Sequence, residues 1–78
     1  MSREENLQWI RECIEEITDI PQEEIREDSR LIQDLDMSSL EISSMVSMLE
    51  KKKRVRFSSG KIREFVRVGD IADYLDTI

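Results

Sequence analysis

Residues 31–50 read Leu31-Ile32-Gln33-Asp34-Leu35-Asp36-Met37-Ser38-Ser39-Leu40-Glu41-Ile42-Ser43-Ser44-Met45-Val46-Ser47-Met48-Leu49-Glu50. This stretch decides the fold because it holds both a helix start and an unbroken periodic pattern. Ser38 followed three residues later by Glu41 is a capping box, in which a serine hydroxyl and a glutamate carboxylate satisfy two of the amides a helix start leaves unpaired. Ile42, Met45, Val46 and Leu49 then recur at spacings of three and four, the stripe that an amphipathic helix buries. Ser39 falls at the first helical position. At 100° per residue, Leu40, Ser43, Ser44, Ser47 and Lys51 share the opposite face, which is small, neutral and open until the lysine. The helix runs into Lys51, Lys52, Lys53 and Arg54, cations suited to the negative end of its dipole.

Toward the amino terminus, Leu7, Ile10, Ile14 and Ile17 give a first amphipathic helix from near Ser2 to about Thr18, and Ser2 with Glu5 forms another capping box. Asp19, Ile20 and Pro21 break it, since proline lacks an amide donor and moves its predecessor out of the helical region. From Pro21 to Met37 the apolar residues Ile25, Leu31, Ile32 and Leu35 are irregularly spaced among acids. They predict a long ordered connection pinned to the core by those side chains, and a loop of that length tends to be functional.

Toward the carboxyl terminus the chain becomes extended, with Val55 and Phe57 able to pack beneath it. Ser59 and Gly60 mark a turn, and Ile62, Phe65 and Val66 allow one short helix. A last helix starts near Val68, Gly69 and Asp70 and buries Ile71, Ala72, Tyr74, Leu75 and Ile78. The expected fold is all-α: three principal helices and one short one in a single domain spanning 1–78.

Composition supports helices and limits function. Only two glycines and one proline interrupt 78 residues, and the hydrophobic and charged fractions are both 38%. The core is therefore modest, too small to be filled and also to enclose a large substrate pocket. Twelve basic against eighteen acidic side chains leave a net charge of −6, which disfavours binding to nucleic acid and anionic membranes. The charge is polarised, −10 over residues 1–50 and +4 over residues 51–78. There is no histidine and one cysteine, Cys13. Neither a Cys/His zinc site nor a Ser-His-Asp triad can form, and no internal disulfide is possible. No apolar run is long enough for a membrane span or a secretory signal, so a cytoplasmic location is expected.

The serine at the start of the second helix is the residue suited to chemistry. A phosphate ester on Ser39 would be favoured by the helix dipole and by unpaired backbone amides. On local sequence alone, Ser38 and Ser39 are equally two capping candidates.

The segment Leu31 to Glu41 resembles the phosphopantetheine attachment region of acyl carrier proteins: an apolar pair, an acid, D-L-G, a variable residue, then D-S-L and an acid. Ser39 matches the modified serine. The resemblance continues through Met45-Val46-Ser47-Met48-Leu49-Glu50 and ends on Val68-Gly69-Asp70-Ile71-Ala72-Asp73-Tyr74-Leu75, similar to the family's V-x-D-x-x-D-Y-I. Upstream, Ile20-Pro21-Gln22-Glu23-Glu24-Ile25 is similar to its first loop.

The resemblance implies a four-helix bundle with a long loop between helices one and two, and no catalytic residue of its own. It implies a 4'-phosphopantetheine arm, taken from coenzyme A by a phosphopantetheinyl transferase and attached to Ser39. An acyl group held on it as a thioester would pass between loading and transferring enzymes, which supply the chemistry. Ser38 stands where the family has the aspartate of D-S-L and can still cap through its hydroxyl. Asp36 stands for the usual glycine, in a turn that aspartate tolerates. The open face of helix two carries serines where fatty-acid members usually show acids, which would weaken steering toward a basic ketosynthase. A specialised carrier for a polyketide, lipopeptide or aminoacyl pathway is the resulting expectation.

On this reading Ser38, Leu40, Ser44, Ser47, Met48 and Lys51 are recognition positions, and Ile42, Met45, Val46, Phe57, Ile62 and Phe65 shelter the acyl chain. Met37, Met45 and Met48 are packing residues whose flexible thioethers can also line such a pocket. Cys13, beside the Ile10 and Ile14 stripe, is expected to be a buried small apolar residue. Trp9, next to that stripe, is a half-buried anchor or a partner contact. The run from Lys51 to Arg56 is a solvated helix end, or a basic site for an acidic partner or the phosphate of coenzyme A. Two alternatives stand beside the acyl carrier: a peptidyl or D-alanyl carrier with aminoacyl cargo, and a helical protein-interaction module with no prosthetic group. A monomer is expected in each case.

Overall fold

The computed structural model describes residues 2–78. Helix α1 spans Arg3–Thr18, α2 Ser39–Lys53, α3 Ser59–Glu64 and α4 Val68–Asp76, and a single 3-10 turn occupies Gln22–Glu24. Among the described residues there is no strand, only an isolated bridge between Arg30 and Arg67. The expected all-α bundle of three principal helices and one short one is what forms.

The Ser2 hydroxyl accepts the Glu5 amide at 3.2 Å and so starts α1. Leu7, Ile10, Cys13 and Ile14 form its buried face. The helix stops where Asp19 takes a left-handed conformation, φ 64°, and donates its amide to the Glu15 carbonyl. α1 packs on both α2 and α4, and one core joins its stripe to Met45, Val46 and Leu49 of α2 and to Val68, Ile71, Ala72 and Leu75 of α4. Cys13 is fully buried, and burial pushes its thiol pKa up, which leaves it a packing atom rather than a nucleophile.

The long connection between α1 and α2 is pinned by Ile25, Leu31, Leu35 and Met37, all buried. Ile32, also expected as a pin, is instead 61% exposed. Residues 31–35 make one helical turn in which the Asp34 and Leu35 amides both reach the Arg30 carbonyl. Leu31 and Leu35, four apart, therefore share the inward side and Ile32 is rotated off it.

Backbone bonds sew this connection to the segment before α4. Leu31 donates to Val66 at 2.9 Å, Val68 to Ser29 at 3.0 Å and Gly69 to Glu27 at 2.8 Å. The approach is close enough that a Cβ on Gly69 would lie 3.1 Å from the Glu27 carbonyl oxygen. Arg3 adds a polar clasp, its guanidinium reaching Glu27 at 3.1 Å, Asp73 at 2.8 Å and Asp76 at 2.7 Å.

Three expectations near the carboxyl end need correction. Ser59 and Gly60 are not a turn; Ser58 caps α3 through the Lys61 amide, and both residues lie in its first helical turn. That helix ends at Glu64, so Val66 falls outside it and is 53% exposed. Its carbonyl is taken by Leu31, which holds the segment extended. Ile78 is 61% exposed, because α4 ends at Asp76 before another turn can bring it to the core.

Candidate functional site

The site is built where the long connection becomes α2. Asp36 sits in the left-handed region at φ 55°, a conformation in which aspartate is less strained than most side chains. Met37 then buries its thioether and donates its amide to the Leu31 carbonyl at 3.0 Å. With the chain anchored there, Ser38, Ser39 and Leu40 emerge together at the surface.

Ser38 completes the capping box. Its hydroxyl accepts the Glu41 amide at 3.2 Å, and Glu41 returns a carboxylate oxygen to the Ser38 amide at 2.8 Å. A helix start leaves four amides without intrahelical acceptors, and the box satisfies those of Ser38 and Glu41. The two left over belong to Ser39 and Leu40. An anionic group on the Ser39 oxygen would meet both at the positive end of the α2 dipole, an effect of about 0.3–1 kcal/mol.

Beside Ser39 opens a cleft of about 390 Å³. Ile42 and Ser43 of α2 form one wall, Ser59, Ile62 and Arg63 of α3 the other, and Ile32 and Phe65 complete it. Phe65 is braced edge-on against Phe57, ring centroids 5.8 Å apart, and Phe57 stacks on Tyr74 at 4.8 Å. The Tyr74 hydroxyl donates to the Arg56 carbonyl at 3.0 Å, fixing the extended segment between α2 and α3.

Of the six residues expected to shelter an acyl chain, Ile42, Ile62 and Phe65 line this cleft. Met45, Val46 and Phe57 are buried and lie outside its lining. Of the recognition positions, Ser38, Leu40, Ser44, Ser47 and Lys51 are exposed, with Leu40 at 79%, while Met48 is half-buried. Sequence reasoning missed Ile32, Ser43, Ser59 and Arg63 as lining residues. Ile32 was recoverable from the four-residue spacing of Leu31 and Leu35, which turns it outward. Ser59 and Arg63 were recoverable only with Ser58 taken as the cap of α3, which sets them four apart on one face.

Trp9 is half-buried, with the Nζ atoms of Lys52 and Lys53 at 5.5 and 5.4 Å from its ring centroid, and Lys52 also pairs with Glu12 at 3.6 Å. These cations tie α1 to α2. No group of three potential metal ligands occurs among the described residues, and no described helix is long and apolar enough to cross a membrane.

An exposed hydroxyl at a helix start, with free amides and no histidine anywhere in the chain to act as a base, suits attachment of a group by another enzyme. The phosphopantetheine chemistry fits these residues: the amides of Ser39 and Leu40 can receive a phosphate on the Ser39 oxygen, and the cleft adjoins Ser39. The pattern of the family described as "Phosphopantetheine attachment site" matches residues 8–75. The chain is 32% identical to an acyl carrier protein of Acidothermus cellulolyticus over 96% of its own length and 89% of the relative's. It is 31% identical to one of Borreliella burgdorferi, over 96% and 94% of the two chains, and 29% identical to one of Wolinella succinogenes, over 87% and 90%. The chain thus belongs to the acyl carrier proteins, carriers of a phosphopantetheine arm that leave catalysis to the enzymes they serve.

Proposed function

We propose that Ser39 is the attachment residue and that the chain is a single carrier domain serving a specialised lipid or polyketide pathway. The observation that carries the assignment is the exposed Ser39 hydroxyl, flanked by two unbonded amides and set on the rim of an apolar cleft. In the loading step the Ser39 oxygen bonds to the phosphorus that coenzyme A presents, the bond to its adenosine bisphosphate portion breaks, and the hydroxyl proton passes to the transferase. When attached, the arm supplies a thiol on which an acyl group rides as a thioester.

The residues of this chain have positioning roles. The capping box holds Ser39 at the helix tip, Met37 anchors the chain behind it, and Ile32, Ile42, Ile62 and Phe65 offer the cargo an apolar surface. Leu40, Ser44, Ser47, Met48 and Lys51, running along α2 away from Ser39, serve recognition by the transferase and the acyl-handling enzymes. The reading of a specialised pathway is supported by the serine-rich open face of α2, which lacks free carboxylates. The same reading has the chain working as a monomer in the cytoplasm, which suits a single buried Cys13 that needs no disulfide partner.

Intact-mass measurement after incubation with coenzyme A and a phosphopantetheinyl transferase tests the assignment. One phosphopantetheinyl mass is expected on the wild-type chain and none on Ser39→Ala. Addition to the Ser39→Ala variant would move the site elsewhere.

A further inference from the structure

The cations that end α2 differ sharply in how the fold uses them. Lys52 is engaged by Glu12 and by the Trp9 ring, and Lys53 lies over the same ring. Lys51, Arg54 and Arg56 have no carboxylate within ion-pair distance among the described residues. They surround a concavity of about 410 Å³ whose other walls are Ser47, Glu50 and Val55. The Glu50 carboxylate in that wall accepts the Phe57 amide at 2.8 Å. The other carboxylate of α2, Glu41, is held in the capping box. Both acids of α2 are therefore hydrogen-bonded to the protein's own backbone, and its exposed side leads to three cations with no ion-pair partner among the described residues.

From Ser39 the exposed side of α2 runs along Leu40, Ser43, Ser44 and Ser47, a continuous surface on which an enzyme reaching Ser39 can rest. Lys51 is twelve residues beyond Ser39, about 18 Å along the axis at 1.5 Å per residue. A standard interface of roughly 800 Å² per partner covers that distance. We infer that the phosphopantetheinyl transferase of this chain's host presents an acidic patch about 18 Å from its active-site mouth, which docks on Lys51, Arg54 and Arg56. This rests on Ser39 being the attachment site. A basic patch at that place would face three cations against the single carboxylate of Glu50.

The test uses the full chain, coenzyme A and the transferase of the same host. Lys51→Glu combined with Arg56→Glu reverses charge without touching Arg54, whose left-handed conformation ends α2. Lys51→Gln with Arg56→Gln is the milder companion, and thermal melts establish that both are folded. At low ionic strength the reversal is expected to raise KM about fivefold or more with kcat unchanged, and the neutral pair to raise it less. At about 0.5 M salt, where the screening length falls to a few Å, the differences should vanish. An unchanged or lowered KM overturns the inference, as does a rise that persists in high salt. A wild-type chain that gains no mass overturns the Ser39 assignment and this inference together. A chain that gains mass with KM insensitive to both variants overturns this inference alone.

Discussion

The Glu50 carboxylate accepts the Phe57 amide at 2.8 Å, so the residue at the end of α2 fixes the first aromatic residue that follows it. The Glu50 carbonyl accepts two more amides, from Arg54 and from Val55 at 3.2 Å. One residue thus closes the helix with its backbone and directs the next segment with its side chain. A hydrogen bond to a charged group is worth about 1.5–3 kcal/mol. Glu50→Ala should lower unfolding stability by an amount in that range, with Glu50→Gln losing less. Urea denaturation measures the loss, and amide exchange should show Phe57 as the site most deprotected.

Arg54 ends α2 at φ 55°, a region that costs a side chain with a Cβ about 1–2 kcal/mol. Arg54→Gly is expected to raise stability by up to about 1 kcal/mol, the greater freedom of unfolded glycine offsetting part of the gain. Asp36→Gly at the equivalent φ should gain less, since aspartate tolerates the conformation better. Thermal melts that showed both variants less stable than wild type would contradict the conformational account.

Ser38→Ala removes the hydroxyl that accepts the Glu41 amide and should cost about 1 kcal/mol, while Ser38→Asp preserves the cap. The functional effect is separable from the stability effect. Loss of the cap loosens the turn that displays Ser39, so the alanine variant should be phosphopantetheinylated more slowly under conditions where it remains fully folded. Equal rates for alanine and wild type would remove the box from the display of Ser39.

Acid should weaken the clasp between α1 and α4. The Asn6 amide and then the Arg3 guanidinium hold the Asp76 carboxyl below the usual carboxylate value of 3.8, and Arg30 does the same for Asp34. Because these pKa values are lower folded than unfolded, the stabilisation is complete above the unfolded value and disappears as pH falls through the folded one. Stability should therefore decline below about pH 4, and Asp76→Asn should flatten that acid limb. Denaturation midpoints measured between neutral pH and pH 2 check the slope.

An acyl chain on the arm should perturb the amide and methyl signals of Ile42, Ile62, Phe65 and Ile32 more than those of Met45 and Val46. The first four line the cleft and the last two are packed in the core beneath it. The reverse ranking would mean that cargo enters between the helices and rearranges the interior.

The starts of α1 and α2 were legible because each is signalled locally. Ser2 and Ser38 cap through a side-chain oxygen three residues before the accepted amide, and the stripes of both helices announce their buried faces, whereas Ser58 caps α3 in the same way just ahead of two residues that read as a turn. What sequence did not show depends on partners distant along the chain. The exposure of Ile32 follows from the one-turn geometry of residues 31–35, and the extended state of Val66 from its bond to Leu31, thirty-five positions away. Ser39 was legible as a helix-tip residue, but the identity of the opposite cleft wall required α3 to be set in space. Nothing local to Glu50 signals its bond to Phe57, so the lack of free carboxylates on α2 emerged only from the fold.

The indole of Trp9 is the chain's lone tryptophan, and two ammonium groups from another helix hover over it. Its emission is consequently an intrinsic optical gauge of the spacing between the first two helices. No dye or isotope is required to watch those two helices part as the chain unfolds.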